Sequence, residues 1–133
     1  MKVVVDTSVW SLALRRHAAS PNSAVVAELG RLIADGRVVM LGAVRQELLS
    51  GIRDPAQFER LREHLGAFPD LTLMAEDYET AAAFFNACRS KGIQGSNTDF
   101  LICAAAARRG MAVFSTDKDF TAYRKVIRLQ LHS

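Results

Sequence analysis

A chain of 133 residues, 50% of them apolar and 23% charged, has the length of one domain and enough surface to bury that it folds without staples. Seventeen Lys and Arg against fourteen Asp and Glu leave a formal net charge of +3, too mild a bias to argue by itself for a nucleic-acid partner. The two cysteines, Cys88 and Cys103, lie in apolar helical stretches with no pairing motif nearby, which excludes a disulfide framework and predicts buried free thiols.

No basic-then-apolar leader opens the chain, and no apolar run approaches the roughly 18 residues that would span a membrane. A soluble, cytoplasmic protein with no membrane partner is expected. No internal repeat, linker or low-complexity segment divides it, so residues 1–133 read as a single domain.

Lys2 to Asp6 is a short β-branched run that reads as a buried central strand ending in a carboxylate, with Thr7 and Ser8 next. Ser8 to Leu14 reads as a short helix. Its Trp10 belongs to the core more naturally than to a base-stacking surface. His17 to Asn22, with Pro21, forms a loop, and Ser23 caps an amphipathic helix with Val25, Val26, Leu29, Leu32 and Ile33 on one face, ending near Asp35-Gly36. Val38 to Leu41 is the second strand. Gly42 to Ser50 is a helix carrying Glu47 and stopped by Gly51; Pro55 starts the next, through Phe68, with Phe58, Leu61 and Leu65 facing inward.

Leu71 to Met74 is the third expected strand. Glu76 to Lys91 is a long helix with Tyr78, Ala82, Phe85 and Cys88 at core spacing, stopped by Gly92. Ser96 or Asn97 caps a helix from Asp99 to Arg109, whose run from Leu101 to Ala107 is apolar on nearly every side and so packs against the sheet. Met111 to Ser115 is the fourth strand, and a short helix around Phe120 to Arg124 and an edge strand at Val126 to Leu129 follow. The alternation of strands and helices predicts a parallel sheet.

Four acids stand out on this frame: Asp6 and Asp117 at strand ends, Glu47 after the second strand, and Asp99 opening a helix. Ligands of an open parallel sheet bind beyond the carboxyl ends of its strands, so Asp6 and Asp117 face the crevice. Each acid alone has an ordinary reading: Asp6 and Asp117 as helix caps, Asp99 as a first-turn acid complementing the helix dipole, Glu47 as a solvated side chain. Independent capping does not explain why two strands both deliver acids. Clustered carboxylates repel one another and lose water, costs that a divalent cation offsets, so the pattern implies a metal site. With these acids sequestered, Arg15-Arg16, Arg45, Arg53, Arg108-Arg109, Lys118 and Arg124-Lys125 leave a more basic surface on which a polyanion would dock; the plainer reading is solvated helix faces. His17, His64 and His132 are scattered without ligand spacing and take no role.

Four segments carry a family resemblance: Val3 to Trp10, Gln46 to Gly51, Thr98 to Ala106, and Ser115 to Phe120. Together they resemble a PIN domain, in the order and spacing of the VapC-type toxins. The resemblance covers almost the whole chain. It implies a three-layer α/β/α fold with a central, mainly parallel twisted sheet of four to five strands. It also implies a metal-dependent endoribonuclease acting as the toxin of a toxin–antitoxin pair, with RNA as substrate. A VapB-type antitoxin would occupy the groove, and a homodimer would assemble further with it.

The implied site is Asp6, Glu47, Asp99 and Asp117 around Mg²⁺ or Mn²⁺, with Asp6 and Asp99 as direct ligands and Glu47 and Asp117 acting through water or a second ion. Thr7, Ser8 and Thr116 are hydroxyl donors beside these acids that would fix a carboxylate rotamer or bind phosphate. Asp119 is the alternative fourth acid. Asp117 is preferred, being two residues past the strand, whereas Asp119 belongs to the start of the short helix as a cap or first-turn acid.

Other readings are an RNA-processing PIN nuclease without an antitoxin and a magnesium-binding phospho-acceptor signalling domain. The latter wants an acidic pair after the first strand and an acceptor Asp after the third; here Asp6 stands alone and Leu71 to Met74 leads into a helix start. A phosphohydrolase with an Asp nucleophile wants a second Asp where Ser8 stands. A catalytically idle binding module would not keep costly clustered acids.

Overall fold

Val3, Val4 and Val5 have no room for water around them, and three β-branched side chains in a row fit a strand covered on both faces better than a helix. They form β1 (Val3–Val5) at the centre of a four-stranded sheet in a computed structural model that describes residues 1–14 and 23–133. The pair Arg15-Arg16, the loop expected at His17 to Asn22 and the Ser23 cap lie outside the described residues and side chains.

The chain continues through α1 (Thr7–Leu14), α2 (Ser23–Ala34), β2 (Val38–Val39), α3 (Gly42–Leu49), α4 (Pro55–Leu65), α5 (Ala75–Ser90), α6 (Asn97–Arg109), β3 (Ala112–Phe114), α7 (Asp119–Arg124) and β4 (Gln130–Leu131). All strand pairs are parallel, in the order β2-β1-β3-β4, with Val3, Val4 and Val5 beside Ala112, Val113 and Phe114. The connection leaving β1 runs to one side and that leaving β3 to the other. Because such crossovers are right-handed, the helices fall on opposite faces and a crevice opens between the carboxyl ends of β1 and β3, the switch point where ligands of open α/β sheets bind.

The alanine-rich helix behaves as its composition dictates. Ile102, Cys103, Ala104, Ala105 and Ala106 of α6 are all 0% exposed, and α6 packs on β1, β3 and α5. Cys88 and Cys103 are buried free thiols, their pKa values pushed up by burial. Trp10 is core, its ring edge-on to Phe68 at 5.0 Å. Gly92, at φ 75°, ends α5 in a Schellman turn, its own N–H on the Arg89 carbonyl and that of Ile93 on the Cys88 carbonyl.

Three expected features differ. Leu71 to Met74 forms no strand: only an isolated bridge joins Asp70 to Met40, with the Leu71 N–H on the Met40 carbonyl at 2.8 Å. Beyond it the chain leaves the sheet edge to start α5, where the Met74 N–H is capped by Asp77 at 2.7 Å. The final strand also comes later than Val126 to Leu129. The Val126 and Ile127 N–H groups both return to the Tyr123 carbonyl, so this segment closes α7, and pairing with β3 starts only at Gln130.

The third difference is the buried stripe of α5, which runs through Asp77, Ala81 and Cys88; Tyr78 is 56% exposed and Ala82 faces outward. A charge turns the helix. Asp77 is 0% exposed because both its oxygens are used: Arg109 reaches them at 2.7 and 2.9 Å, and Arg108 reaches Oδ1 at 2.5 Å. These contacts, those with Arg109 foremost, hold the Asp77 carboxyl far below the usual carboxylate range. Arg109 is therefore structural rather than available to a polyanion, whereas Arg108 pairs with Asp77 and stays exposed. Arg45 is structural too, bonding Asp70 and the carbonyls of Leu65 and Phe68. Arg53, Lys118, Arg124 and Lys125 remain exposed.

Candidate active site

The ladder between β1 and β3 runs one residue past β1, because the Asp6 N–H donates to the Phe114 carbonyl at 2.9 Å. This pins Asp6 at the mouth of the crevice. Its side chain is 5% exposed, so the carboxylate needs partners, and Oδ2 accepts from Ser8 Oγ at 2.8 Å and Ser115 Oγ at 2.7 Å. Both hydroxyl protons are thereby committed. As acceptors the same hydroxyls organise the loop after β3: Ser8 Oγ takes the Thr116 N–H at 3.1 Å, and Ser115 Oγ takes the Asp117 N–H at 2.9 Å. Asp117 Oδ1 then accepts the Asp119 N–H at 2.9 Å. One chain of hydrogen bonds thus joins Asp6 to Asp117 and Asp119.

Asp99 arrives from the other side, in the first turn of α6. Ser96 is the cap, its Oγ accepting the Asp99 N–H at 3.0 Å, and Asp99 Oδ2 accepts from the Tyr123 hydroxyl at 2.6 Å. Burial, and then the neighbouring charges of Asp6 and Asp117, push its pKa above the ordinary value, against the pull of the Tyr123 bond. The Tyr123 hydroxyl is pushed up in turn by its own burial and by Asp99. Asp99, Asp117 and Asp119 each offer one carboxylate oxygen, and the three lie within 4.8 Å of one another.

Three convergent oxygen donors, one half-buried and two exposed, fit a hard divalent cation that keeps part of its water shell. Asp6 is close enough for its charge to act on Asp99 but is not one of these three. Glu47 stands apart on α3, exposed, its Oε1 accepting from Thr7 Oγ1 at 2.6 Å. Thr7 and Ser8 both bind the acids they were expected to support, whereas among the described residues Thr116 enters through its backbone N–H alone. The helix-start role expected of Asp119 is shared: Asp119 opens α7, and Asp117 accepts its N–H. Ser115 and Tyr123 were not foreseen as partners of the acids.

Beside the acids an open cleft of about 520 Å³ is lined by Thr7, Gln46, Glu47, Ser50 and Thr98. A larger one, about 750 Å³, opens at the amino end of the sheet around Lys2, Val38 and Met111 and holds none of Asp6, Glu47, Asp99, Asp117 and Asp119. Its size alone gives it no chemistry.

The sequence pattern of the PIN domain matches residues 3–126. The chain belongs to the PIN-domain family. It is similar to ribonuclease VapC11 of Mycobacterium tuberculosis, 30% identical over 98% of each chain. Among solved structures it resembles VapBC2 of Rickettsia felis bound to a promoter DNA fragment, with a TM-score of 0.78 at 18% identity over 99% of this chain and 98% of that one. FitAcB of Neisseria gonorrhoeae superposes with a TM-score of 0.76 at 22% identity, over 98% and 96%. These two likenesses confirm the fold, a parallel α/β sheet of the PIN type.

Proposed function

We propose that the protein is a metal-dependent endoribonuclease that acts as the toxin of a toxin–antitoxin pair. The observation that carries this reading is the convergence of Asp99, Asp117 and Asp119 within 4.8 Å at the switch point of a parallel sheet, beside the buried Asp6. The similarity to proteins named VapC ribonucleases supplies the substrate class, RNA. A VapB-type antitoxin as partner is supported by the likeness to VapBC2; its inhibition of cleavage and assembly from a homodimer are what the PIN-domain resemblance implies.

Asp6, Asp99, Asp117 and Glu47 form the site in this reading, with Asp119 adding an oxygen beside Asp99 and Asp117. Asp99, Asp117 and Asp119 would hold Mg²⁺ or Mn²⁺, with Asp6 completing the negative pocket behind them. When bound there, the ion lowers the pKa of the attacking water and neutralises charge on the transferring phosphate. Ser8 and Ser115 would keep Asp6 in one rotamer. Glu47, held by Thr7 on the cleft wall, would orient water in this reading.

Cleavage of a labelled RNA pool by the purified protein, with Mg²⁺, with Mn²⁺ and with excess chelator, tests the activity. Cleavage should stop with chelator and return with either ion, and the melting temperature should rise as metal is added, because the ligands converge only in the folded chain. Undiminished cleavage in chelator would refute the reading. Co-expression with the gene immediately upstream tests the toxin role: growth arrest relieved by a small DNA-binding product supports it, and no relief favours an RNA-processing nuclease.

Asp117→Asn should lower cleavage at least tenfold, a loss of about 1.4 kcal/mol in transition-state stabilisation, while keeping the cap, since the amide oxygen still accepts the Asp119 N–H. Asp119→Asn should do the same, because its carboxylate shares the trio. An Asp119→Asn protein with unchanged activity and Mn²⁺ dependence would leave Asp119 as a helix-start acid only.

A further inference from the structure

Tyr123 is fully buried although its hydroxyl ends at the acidic cluster. Its ring is wedged between Phe100, with centroids 4.7 Å apart, and Phe120, 5.3 Å apart, the residues that directly follow Asp99 and Asp119. The ring therefore locks the first turn of α6 against α7. The 2.6 Å bond to Asp99 Oδ2 is in the range of a charge-assisted O–H···O⁻ contact.

Gly95, in the turn before α6, closes over the same hydroxyl. A Cβ there would overlap the Tyr123 hydroxyl oxygen and lie 2.7 Å from its Cζ and 2.9 Å from Phe100 Cε2. Gly95 is not among the glycines with positive φ, which are Gly36, Gly51, Gly92 and Gly110. Space, rather than backbone conformation, is what requires a glycine here.

We infer that Tyr123 is a positioning residue for the metal site: its hydroxyl fixes Asp99 so that the carboxylate converges with Asp117 and Asp119, and Gly95 provides the room for it. The physical need is plain. Asp99 faces the repulsion of Asp6 and Asp117, and an unrestrained carboxylate would rotate toward water. A phenol is well suited because it is a neutral donor. An arginine in its place would also fix the rotamer but would cancel the charge that a cation needs, whereas Tyr123 orients Asp99 and leaves its negative charge in full.

The inference rests on the metal-site reading, and Mn²⁺ titration followed by the electron paramagnetic resonance of the free ion separates the two. The unmodified protein and Tyr123→Phe are compared, with circular dichroism as the check of fold. The expected result is a dissociation constant about tenfold to a hundredfold weaker in Tyr123→Phe, as found when the outer partners of metal ligands are removed. Equal Mn²⁺ affinity in the two proteins would overturn the positioning role, even if Tyr123→Phe melts earlier, because packing alone would then explain the residue. No Mn²⁺ binding by the unmodified protein would overturn the metal site itself and the positioning role with it. Should Tyr123→Phe not fold, Gly95→Ala decides: it keeps the hydroxyl but displaces it, so weakened Mn²⁺ binding supports the inference and unchanged binding overturns it.

Discussion

Asp99→Asn should abolish RNA cleavage, by at least a hundredfold or about 2.7 kcal/mol in transition-state stabilisation, while the fold survives. The amide keeps the shape of the carboxylate, and its oxygen can still accept the Tyr123 hydroxyl. What it loses is the charge that a cation needs. The metal-free protein should be no less stable, because burial and the charges of Asp6 and Asp117 already disfavour the ionised carboxylate. Asp6→Asn should behave alike, since an amide oxygen can still accept from Ser8 and Ser115. Cleavage at saturating Mg²⁺, paired with thermal unfolding, checks both, and a variant with full metal-dependent activity would remove its residue from the site.

Asp77→Ala should be the most damaging single change away from the acids. Asp77 is 0% exposed and holds Arg108, Arg109 and the Met74 N–H at once, so truncation breaks the α5–α6 contact and the start of α5 together. Breaking a buried ion pair costs about 3–5 kcal/mol, and the partial exposure of both arginines puts the expected loss near 3 kcal/mol, on the order of 10 °C in melting temperature. The sign with pH follows. The folded pKa of Asp77 is depressed, first by the Arg109 hydrogen bonds, so its stabilisation is complete above the unfolded value of about 3.9 and is lost as pH falls below it. Urea unfolding should therefore show the gap between the two proteins shrinking from pH 5 to pH 2. A constant gap would contradict the ion-pair explanation.

The sequence made the frame of the site readable for physical reasons that are local. Three adjacent valines dictate a buried strand, an alanine-rich run dictates a helix packed close to the sheet, and an acid directly after a strand falls at the crevice. What was not readable depends on partners far along the chain. Ser115 looked like an ordinary strand end, and only the β1–β3 register brings it to Asp6. Tyr123 lies 24 residues from Asp99 with nothing in the local pattern to join them. Nothing local marks Asp77 as more than part of a helix start, so the apolar spacing through Tyr78 and Ala82 passed over a buried charge that turns the inward face of α5 away from them. The same non-local pairing committed Arg45 and Arg109 to the fold rather than to the surface that composition had made basic. Leu71 to Met74 has the apolar alternation of a strand, but the edge of a two-residue β2 gives it one bridge and no ladder.

The most direct test is the anomalous scattering of Mn²⁺ in crystals of the protein grown with the ion. A peak bonded to oxygens of Asp99, Asp117 and Asp119, with Asp6 beside it, is the expected result. A protein that cleaves RNA while its only Mn²⁺ peaks lie away from these carboxylates would contradict a metal-dependent nuclease built on them.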